Sequence, residues 1–416
     1  MKHKQKLFLL LASALLFFAT ILICEVALQG AARIWHKADI LTRGECRDGF
    51  IRDAQGSISN GDPSCFDHDS RGYRNRIALD QADIVTLGDS FTYGTNILDT
   101  AWPRIISTRL KTQVYNMALP ATGPLLMLQH LPEALKLHPQ VVIFGFYFGN
   151  DLFDDFEFAE THGMMSNFLP QSMIAEITKA EKTQNLVTKV DVLFPGGLQG
   201  KPSNFSRLKG FLANNSRLYG FLRSVKNNLF PAAIKASITR ILEPRYEDAV
   251  AGILESERPY IAPFAENGWK TILAAPYRLG AIDLSDIRIQ GGLEIVKQTL
   301  VKMNQICVGS NTRFIVALFP TKEFVFRAKV RDVSRYKAYE SVVENEGIIR
   351  QQLLSLLKER NIDFVDPLKL LQNAVNQPYF ENADGHPNVV GHEIIATAVE
   401  EHLKALGFRA AHALIN

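Results

Sequence analysis

The chain has 416 residues, of which 47% are hydrophobic and 21% charged, values typical of a globular protein rather than a disordered or collagen-like one. Its 46 Lys and Arg residues nearly balance its 43 Asp and Glu residues, so the net charge of +3 gives no reason to expect nucleic-acid binding. Four cysteines in a chain of this length exclude a disulfide scaffold. The length predicts two to three domains, or one large domain that carries an insertion.

The N-terminus has the pattern of a membrane anchor. Lys2, Lys4 and Lys6 precede an unbroken apolar run over residues 7–24, about the minimum length for a transmembrane helix. The lysines favour an N-terminus inside the cell, with the bulk of the chain beyond the inner (cytoplasmic) membrane, in the periplasm or another extracytoplasmic space. A cleaved signal peptide is the alternative, but no small-residue cleavage site follows the run. We therefore expect residues 1–35 to form a single-pass signal anchor.

The anchor is followed by a segment that we expect to be an extracytoplasmic linker and lead-in, residues 36–82. It contains Cys46 and Cys65 within a stretch rich in Gly, Asp, Pro and Ser. An oxidising compartment would let these two cysteines pair. Two unpaired cysteines are an equal alternative, and the sequence leaves the choice open.

From residue 83 onwards, short apolar strands alternate with helical patterns. The predicted strands are 83–87, 113–116, 140–147, 313–319 and 362–365. The predicted helices are 102–110, 125–137, 292–308 and 346–360. This alternation predicts an α/β domain with a parallel sheet, whose functional site lies at the carboxyl ends of the strands.

The alternation stops over residues 152–289, which predicts a mostly helical insertion or cap within an α/β domain built from residues 83–151 and 290–416. Residues 201–245 of this insertion hold nine Lys or Arg residues against Glu243 alone, and their apolar residues recur at helical spacing. A basic amphipathic helix facing an anionic membrane or a polyanion is one interpretation. A helical cap that packs its apolar stripe on the α/β core is the other.

The first predicted strand runs directly into Gly88-Asp89-Ser90. A serine at this point lies at a strand's carboxyl end and at a helix start, so Ser90 is a candidate nucleophile. The alternative role for Ser90 or Asp89 is a helix N-cap. Near the C-terminus, His386 is the candidate general base and Asp384 the carboxylate that orients it.

Two further loops follow strands and are expected at the same edge of the sheet. The loop over residues 116–123 follows the second strand, and Gly149-Asn150-Asp151 follows the third. The Asn150 amide and backbone N–H groups are candidate oxyanion donors. One such donor contributes roughly 3 kcal/mol in reactions of this type.

Three of these segments, in this order along the chain, resemble the sequence blocks of the SGNH/GDSL hydrolase family. They are Gly88-Asp89-Ser90, Gly149-Asn150-Asp151, and Asp384 with His386. The resemblance covers residues 83–151 and 290–405. It implies a flavodoxin-like three-layer fold with a parallel sheet and a triad of serine, histidine and aspartate.

The resemblance also implies an oxyanion hole formed by the Ser90 N–H, the Asn150 amide and a backbone N–H of the second block, at Ala121. The sequence departs from the family pattern at three positions. Ala121 stands where the family has glycine, and Phe148 stands where glycine usually precedes the asparagine by two residues. Asp384 precedes His386 by two residues rather than three, which leaves open a Ser90–His386 dyad with a weaker orienting group.

The membrane-anchored layout and Pro320-Thr321-Lys322-Glu323 are also similar to the alginate O-acetyltransferase branch of this superfamily. That branch carries its Asp-x-His upstream of the serine, and Asp67-His68-Asp69 also stands upstream here, but close to the serine. The alternative for Asp67-His68-Asp69 is a solvated turn. Because the downstream pair is intact, we assign catalysis to the downstream pair. The candidate substrate contacts are Asp89, Gly123, Asp151 and Lys322, with an ordinary loop ion pair to Glu323 as an equal alternative for Lys322.

Three functions follow as hypotheses, none requiring a cofactor, a metal or a nucleotide. The first is a serine esterase or O-acyltransferase acting on O-acyl groups, O-acetyl above all, of an envelope or extracellular glycan, with polysaccharide-assembly proteins as further partners. The second is a lipid-directed esterase, such as a lysophospholipase or thioesterase. The third is a non-enzymatic glycan-binding or assembly component. The sequence does not distinguish water from a sugar hydroxyl as the acyl acceptor.

Overall fold

The computed structural model describes residues 20–21, 23–27, 50–63, 68–94, 100–183, 246–253, 255, 257–258 and 260–411. Most of the predicted anchor over residues 7–24, both Cys46 and Cys65, and the basic segment 201–245 lie outside the described residues. Among the described residues, no helix is long and apolar enough to cross a membrane.

The centre of the described structure is a parallel sheet. The strands are β1 (Phe50–Arg52), β2 (Ile58–Gly61), β3 (Ile84–Gly88), β4 (Val114–Asn116), β5 (Val141–Tyr147), β6 (Ala262–Glu266), β7 (Trp269–Leu273), β8 (Arg313–Phe319) and β9 (Asp363–Val365). Five of them form the parallel sheet in the order β4-β3-β5-β8-β9. Counted in chain order, this is the 2-1-3-4-5 arrangement of flavodoxin-like folds. The predicted α/β class with a parallel sheet is therefore confirmed.

Helices connect and cover these strands. Numbered from residue 90, they are α1 (Ser90–Tyr93), α2 (Trp102–Leu110), α3 (Pro124–Leu135), α4 (Asp151–Thr161), α5 (Gln171–Thr183), α6 (Tyr246–Ala251), α7 (Ala275–Ile282), α8 (Ile287–Gly309), α9 (Lys322–Phe326), α10 (Tyr339–Glu359), α11 (Leu368–Gln372) and α12 (Val389–Ala405). α8 packs against α3 and α4, whereas α12 packs against α2 and α11. Right-handed crossovers put these two groups on opposite faces of the sheet, which gives three layers.

The central strand β5 is buried at all seven positions. A strand covered by helices on both faces has no solvent side, so its sequence is a continuous apolar run rather than an alternating one. The predicted strand bounds agree with the structure to within one residue. The largest differences are at helix starts: α10 begins at Tyr339, seven residues before the predicted start, and α8 begins at Ile287, five residues before it. Asp286 accepts a hydrogen bond from the Arg288 N–H and caps α8 earlier than the apolar pattern indicates.

The described parts of the predicted insertion contribute to the main core. Phe156 of α4 and both Phe264 and Trp269 of the β6–β7 hairpin belong to the same hydrophobic cluster as the central strands. α4 is rich in acidic residues, so its apolar residues were not identified from the sequence as a face that packs on the core. α4 and the β6–β7 hairpin therefore pack on the α/β core, whereas a small second cluster around Ile272 and Tyr277 lies within the hairpin and α7 region. The predicted domain bounds stay a prediction.

Candidate active site

The turn after β3 places Ser90. Gly88 has a φ of +143°, and a Cβ there would lie 2.7 Å from both the Gly145 carbonyl oxygen and Thr92 Oγ1, so only glycine fits. Asp89 then caps α1, since its Oδ1 accepts a hydrogen bond from the Phe91 N–H at 2.9 Å. The chain thus turns sharply from strand to helix, and Ser90 is the half-buried first residue of that helix.

Ser90, His386 and Asp384 form a continuous hydrogen-bonded chain. His386 Nε2 lies 2.8 Å from Ser90 Oγ, and His386 Nδ1 lies 2.6 Å from Asp384 Oδ1. This pairing assigns the tautomer in which Nδ1 carries the proton and Nε2 accepts from the serine hydroxyl. The side chains of His386 and Asp384 are each 28% exposed, so a substrate can reach the imidazole.

The environment of Asp384 keeps its carboxylate ionised. Burial works against ionisation, but the hydrogen bonds from His386 and its charge lower the pKa of Asp384 to about 2. An ionised partner at this distance fixes the imidazole and stabilises the imidazolium that forms when His386 takes the serine proton. The arrangement is a triad rather than a dyad.

Aromatic rings hold the histidine from one side. Phe91 stacks on Tyr147 with ring centroids 3.8 Å apart, and the His386 ring lies 5.2 Å from Phe91. Phe91 follows Ser90 directly, so the same turn that presents the nucleophile also supports the base. Packing of this kind limits rotation of the imidazole before any substrate arrives.

The loops proposed for the oxyanion hole lie beside this turn. Asn150 is buried, and its Nδ2 donates one hydrogen bond to Asp154 Oδ2 at 2.7 Å, which fixes the amide. Its role as an oxyanion donor stays a prediction. The second-block loop is tied to β3 because the Leu119 N–H donates to the Gly88 carbonyl oxygen at 2.9 Å. Ala121 in that loop has a φ of +54°, the left-handed conformation that its side chain disfavours.

The structure corrects the candidate substrate contacts. The Asp89, Asp151 and Lys322 side chains are fully buried, so substrate cannot reach them. Asp89 is the cap of α1, and Asp151 Oδ2 accepts a hydrogen bond from the Tyr147 N–H at 3.0 Å. Burial raises the pKa of Asp89 to about 7 and raises the pKa of Asp151 well above its usual range.

Gly123 is also structural. It precedes α3 and lies against Asp155, whose Oδ1 is 2.3 Å from where a Cβ of residue 123 would stand. The same Oδ1 accepts a hydrogen bond from the Leu125 N–H at 2.8 Å. Asp155 thus supplies from α4 the N-terminal cap that α3 lacks in its own sequence, and Gly123 makes room for it.

His68, the histidine upstream of Ser90, has a structural role. His68 is buried, its Nε2 lies 2.7 Å from the Tyr93 hydroxyl, and its Nδ1 lies 3.0 Å from the Asp62 carbonyl oxygen. Asp69 accepts a hydrogen bond from the Tyr115 hydroxyl at 2.6 Å, while Asp67 lies outside the described residues. These contacts order the lead-in against the sheet, which supports the downstream pair as the catalytic one.

Arg278 is a site residue that the sequence did not indicate. It lies on α7, in the predicted insertion, and its Nη1 donates to the Gly149 carbonyl oxygen at 3.0 Å. Its guanidinium lies 5.4 Å from the centre of the Tyr147 ring, and its Nη2 lies beside Gly385. Arg278 therefore connects the loop of Asn150 with the loop of His386. Only its position in three dimensions reveals this, because no motif surrounds it.

Within the described part of the chain, no group of three or more His, Cys, Asp or Glu residues is arranged to hold a metal ion. Comparison with known proteins found neither a matching family model nor a matching curated protein.

Several solved structures resemble the chain distantly. A protein described as a lipolytic protein of the G-D-S-L family from Desulfitobacterium hafniense is 13% identical and matches over 77% of this chain and 98% of its own, with a TM-score of 0.35. A GDSL-like lipase from Bacteroides thetaiotaomicron is 9% identical over 78% and 88% of the two chains, with a TM-score of 0.32. A catalytic mutant of an acetylxylan esterase from Geobacillus stearothermophilus is 10% identical over 80% and 97%, with a TM-score of 0.32. In this chain, the residues that carry the sequence resemblance to SGNH/GDSL hydrolases form a hydrogen-bonded Ser90–His386–Asp384 triad at the carboxyl edge of a parallel sheet.

Proposed function

We propose that the chain is an SGNH/GDSL-type serine esterase or O-acyltransferase that acts through an acyl-enzyme on Ser90. The observation that carries this proposal is the hydrogen-bonded chain from Ser90 Oγ through the His386 ring to Asp384 Oδ1. A serine hydroxyl is a weak nucleophile unless a positioned base removes its proton, and this geometry supplies that base.

The reaction follows from the contacts. Ser90 Oγ attacks the carbonyl carbon of an ester while His386 Nε2 takes the serine proton, and the oxyanion is held by the Asn150 amide together with the Ser90 and Ala121 N–H groups. The tetrahedral intermediate collapses to an acyl-serine, and the leaving alcohol receives the proton from His386. Water or a sugar hydroxyl then attacks the acyl-serine, again with His386 as base, and Ser90 is regenerated.

The proposed substrate is an O-acyl group, O-acetyl above all, on an envelope or extracellular glycan. The apolar run over residues 7–24 behind three lysines supports an anchor in the inner membrane with the catalytic domain outside the cytoplasm, where such glycans and polysaccharide-assembly proteins are found. The same anchor and the basic segment 201–245 support a lipid-directed esterase as the second candidate.

A hydrolysis assay with p-nitrophenyl esters tests the proposal. The purified chain should hydrolyse the acetate ester, and a series of longer acyl chains should lower the rate for an acetyl enzyme but raise it for a lipid-directed one. Addition of an O-deacetylated glycan should yield acetylated glycan only if the enzyme is a transferase. Ser90→Ala should abolish turnover, whereas Ser355→Ala, a matched change of an exposed serine, should not. An inactive wild-type chain, or an active Ser90→Ala variant, would leave the glycan-binding alternative.

The proposed location has a separate test. A reporter that is active only in the cytoplasm, fused to the C-terminus, should be inactive, and a reporter active only outside the cytoplasm should be active. The opposite result would contradict the proposed orientation.

A further inference from the structure

Lys322 has an unusual environment for a lysine. It is the first residue of α9, separated from the end of β8 by Pro320 and Thr321, and its side chain is fully buried. Its ammonium contacts four oxygen atoms: Thr271 Oγ1 at 3.2 Å, the Ile272 carbonyl at 2.9 Å, the Asn382 carbonyl at 2.9 Å and the Asp384 carbonyl at 2.8 Å. None of these acceptors is a carboxylate oxygen. Lys322 is therefore held by uncharged groups.

These contacts join the catalytic loop to the core. Two of the acceptors belong to β7, and the other two belong to the segment that carries Asp384. Neighbouring bonds strengthen the junction: Thr271 Oγ1 donates to the Phe380 carbonyl oxygen at 2.8 Å, and the Asp384 N–H donates to Asn382 Oδ1 at 2.9 Å. The loop has no helix or strand of its own between Phe380 and His386, so these side-chain bonds, together with a backbone hydrogen bond from the Ile272 N–H to the Asn382 carbonyl oxygen at 3.4 Å, define its path.

Burial of an ammonium is costly, on the order of several kcal/mol even after the protein relaxes. Neutral hydrogen bonds could tie down a loop of no special function at lower cost. Three N–H donors on one atom, however, can bind carbonyl groups from two segments at once. Such an atom is well suited to fix one backbone segment against another.

We propose that Lys322 is a positioning residue for the reaction, whose ammonium fixes the backbone of residues 382–384 so that the Asp384 carboxylate meets the His386 ring. The inference rests on the proposed function in that the triad must be the catalytic centre. It gives a reason why an aspartate only two residues before the histidine still makes a 2.6 Å hydrogen bond to the ring. The β6–β7 hairpin, which lies outside the sequence blocks of the family, then helps to position the catalytic loop.

The charge state of Lys322 predicts how turnover should depend on pH. Burial lowers the pKa of Lys322 to about 8, an effect that nearby Glu323 and Asp384 oppose and that Arg278 reinforces. These three residues are the charged groups facing the ammonium from α9, the catalytic loop and α7; β7 contributes only Thr271 and Ile272. Above pH 8 the amine keeps two N–H donors for four acceptors, so turnover should decline while the fold persists.

Lys322→Met tests the inference, with Lys302→Met as the matched change of an exposed lysine. A misplaced catalytic group costs roughly a hundredfold, so we expect a fall in kcat of that order, with little change in KM and with no change in the control. The alkaline decline of the wild type should be absent from the residual activity of Lys322→Met. Circular dichroism at each pH should show folded protein.

Each outcome has a consequence. A folded Lys322→Met variant with wild-type kcat would overturn the inference, and so would a slow variant that keeps the alkaline decline, because that result indicates a structural role alone. If Lys322→Met does not fold, the wild-type profile decides: a constant rate from pH 7 to 9.5 would also overturn the inference. An active wild-type enzyme in any of these cases leaves the proposed function intact, whereas an inactive one removes both.

Discussion

Asp384 Oδ1 accepts two hydrogen bonds from His386, one from ring Nδ1 at 2.6 Å and one from the backbone N–H at 2.9 Å. A single carboxylate oxygen thus orients the imidazole and also fixes the peptide that carries it. The spacing of two residues brings the backbone N–H within reach of the same oxygen. The short spacing therefore yields a firmly held histidine rather than a weakly oriented one.

The triad predicts the relative effects of substitutions. Ser90→Ala and His386→Ala should each remove nearly all turnover, and the double variant should be little worse, because the two groups act as one unit. Asp384→Asn should cost less than either, on the order of a hundred- to ten-thousandfold in kcat, since the ring keeps its position but loses the charge that stabilises the imidazolium. Steady-state kinetics on an activated ester measure all four variants. Additive losses in the double variant would show that Ser90 and His386 act independently.

Asn150 offers a test of the oxyanion hole. Asn150→Ala removes one oxyanion donor, so kcat should fall by about a hundred- to a thousandfold with KM changed far less. Because the amide also donates to Asp154 Oδ2, circular dichroism and thermal melting must accompany the kinetics. A folded Asn150→Ala variant with wild-type kcat would remove Asn150 from the hole.

The sequence predicted the parallel sheet and the triad because both depend on local patterns. β5 is an unbroken apolar run, and Gly88-Asp89-Ser90 follows directly on a short apolar strand, so each pattern is visible in the sequence alone. Ser90 and His386 were identified because each follows a strand or precedes a helix. The fold then brings together two residues 296 positions apart.

The remaining site residues depend on contacts between distant segments. Lys322 looked like a substrate contact because it follows a strand, yet the hairpin at Thr271 covers it completely. Arg278 lies in the predicted insertion, residues 152–289, where the sequence shows no alternation of strands and helices. Burial of Asp89 and Asp151 likewise depends on the three-dimensional packing, which no spacing in the sequence reports.

The strained Ala121 predicts a stabilising substitution. Its φ of +54° disfavours a Cβ by roughly 1–2 kcal/mol, and the extra entropy of glycine in the unfolded chain offsets part of that gain. Ala121→Gly should therefore raise the free energy of unfolding by up to about 1 kcal/mol. Gly163→Ala is the matched opposite change, at a φ of +65° with no atom near the new Cβ, and should lower stability. Urea unfolding measures both, and equal shifts of one sign would contradict the argument.

His392 should be structural rather than catalytic. Its Nδ1 accepts a hydrogen bond from the Trp102 N–H at 3.2 Å, which satisfies a donor at the start of α2 that has no partner within its own helix. Burial, together with the charge of His386, lowers the pKa of His392 to about 3, so the ring is neutral and can accept. His392→Ala should cost about 1–3 kcal/mol of stability, because it leaves that N–H unpaired, with turnover retained below the melting temperature. Loss of turnover in His392→Ala but not in His386→Ala would reverse the assignment of the base.

Buried carboxyl groups predict that the protein is more stable in mild acid than at alkaline pH. Burial raises the pKa of Asp89 and of Glu346 to about 7 and raises the pKa of Asp155 well above its usual range. A carboxyl group whose pKa is higher in the folded chain than in the unfolded chain stabilises the fold fully below its unfolded pKa. That contribution disappears as the pH rises through the folded value.

The melting temperature should therefore be higher at pH 5 than at pH 8. Asp384, whose pKa is lowered to about 2, opposes this trend only below about pH 4, because its carboxylate is ionised above that in both states. His392, whose pKa is lowered from 6.5 to about 3, opposes the trend below about pH 6.5, because its imidazole binds a proton in the unfolded chain only. Among the described residues more carboxyl groups have a raised pKa than histidines have a lowered one, so we expect the carboxyl groups to decide the sign. Glu346→Gln keeps an oxygen for the Thr321 N–H but cannot ionise, so it should reduce the difference in melting temperature between the two pH values. Glu359→Gln, at an exposed glutamate, should leave that difference unchanged. Scanning calorimetry at both pH values decides the matter: a higher melting temperature at pH 8 would mean that these carboxyl groups are ionised and compensated in the folded chain.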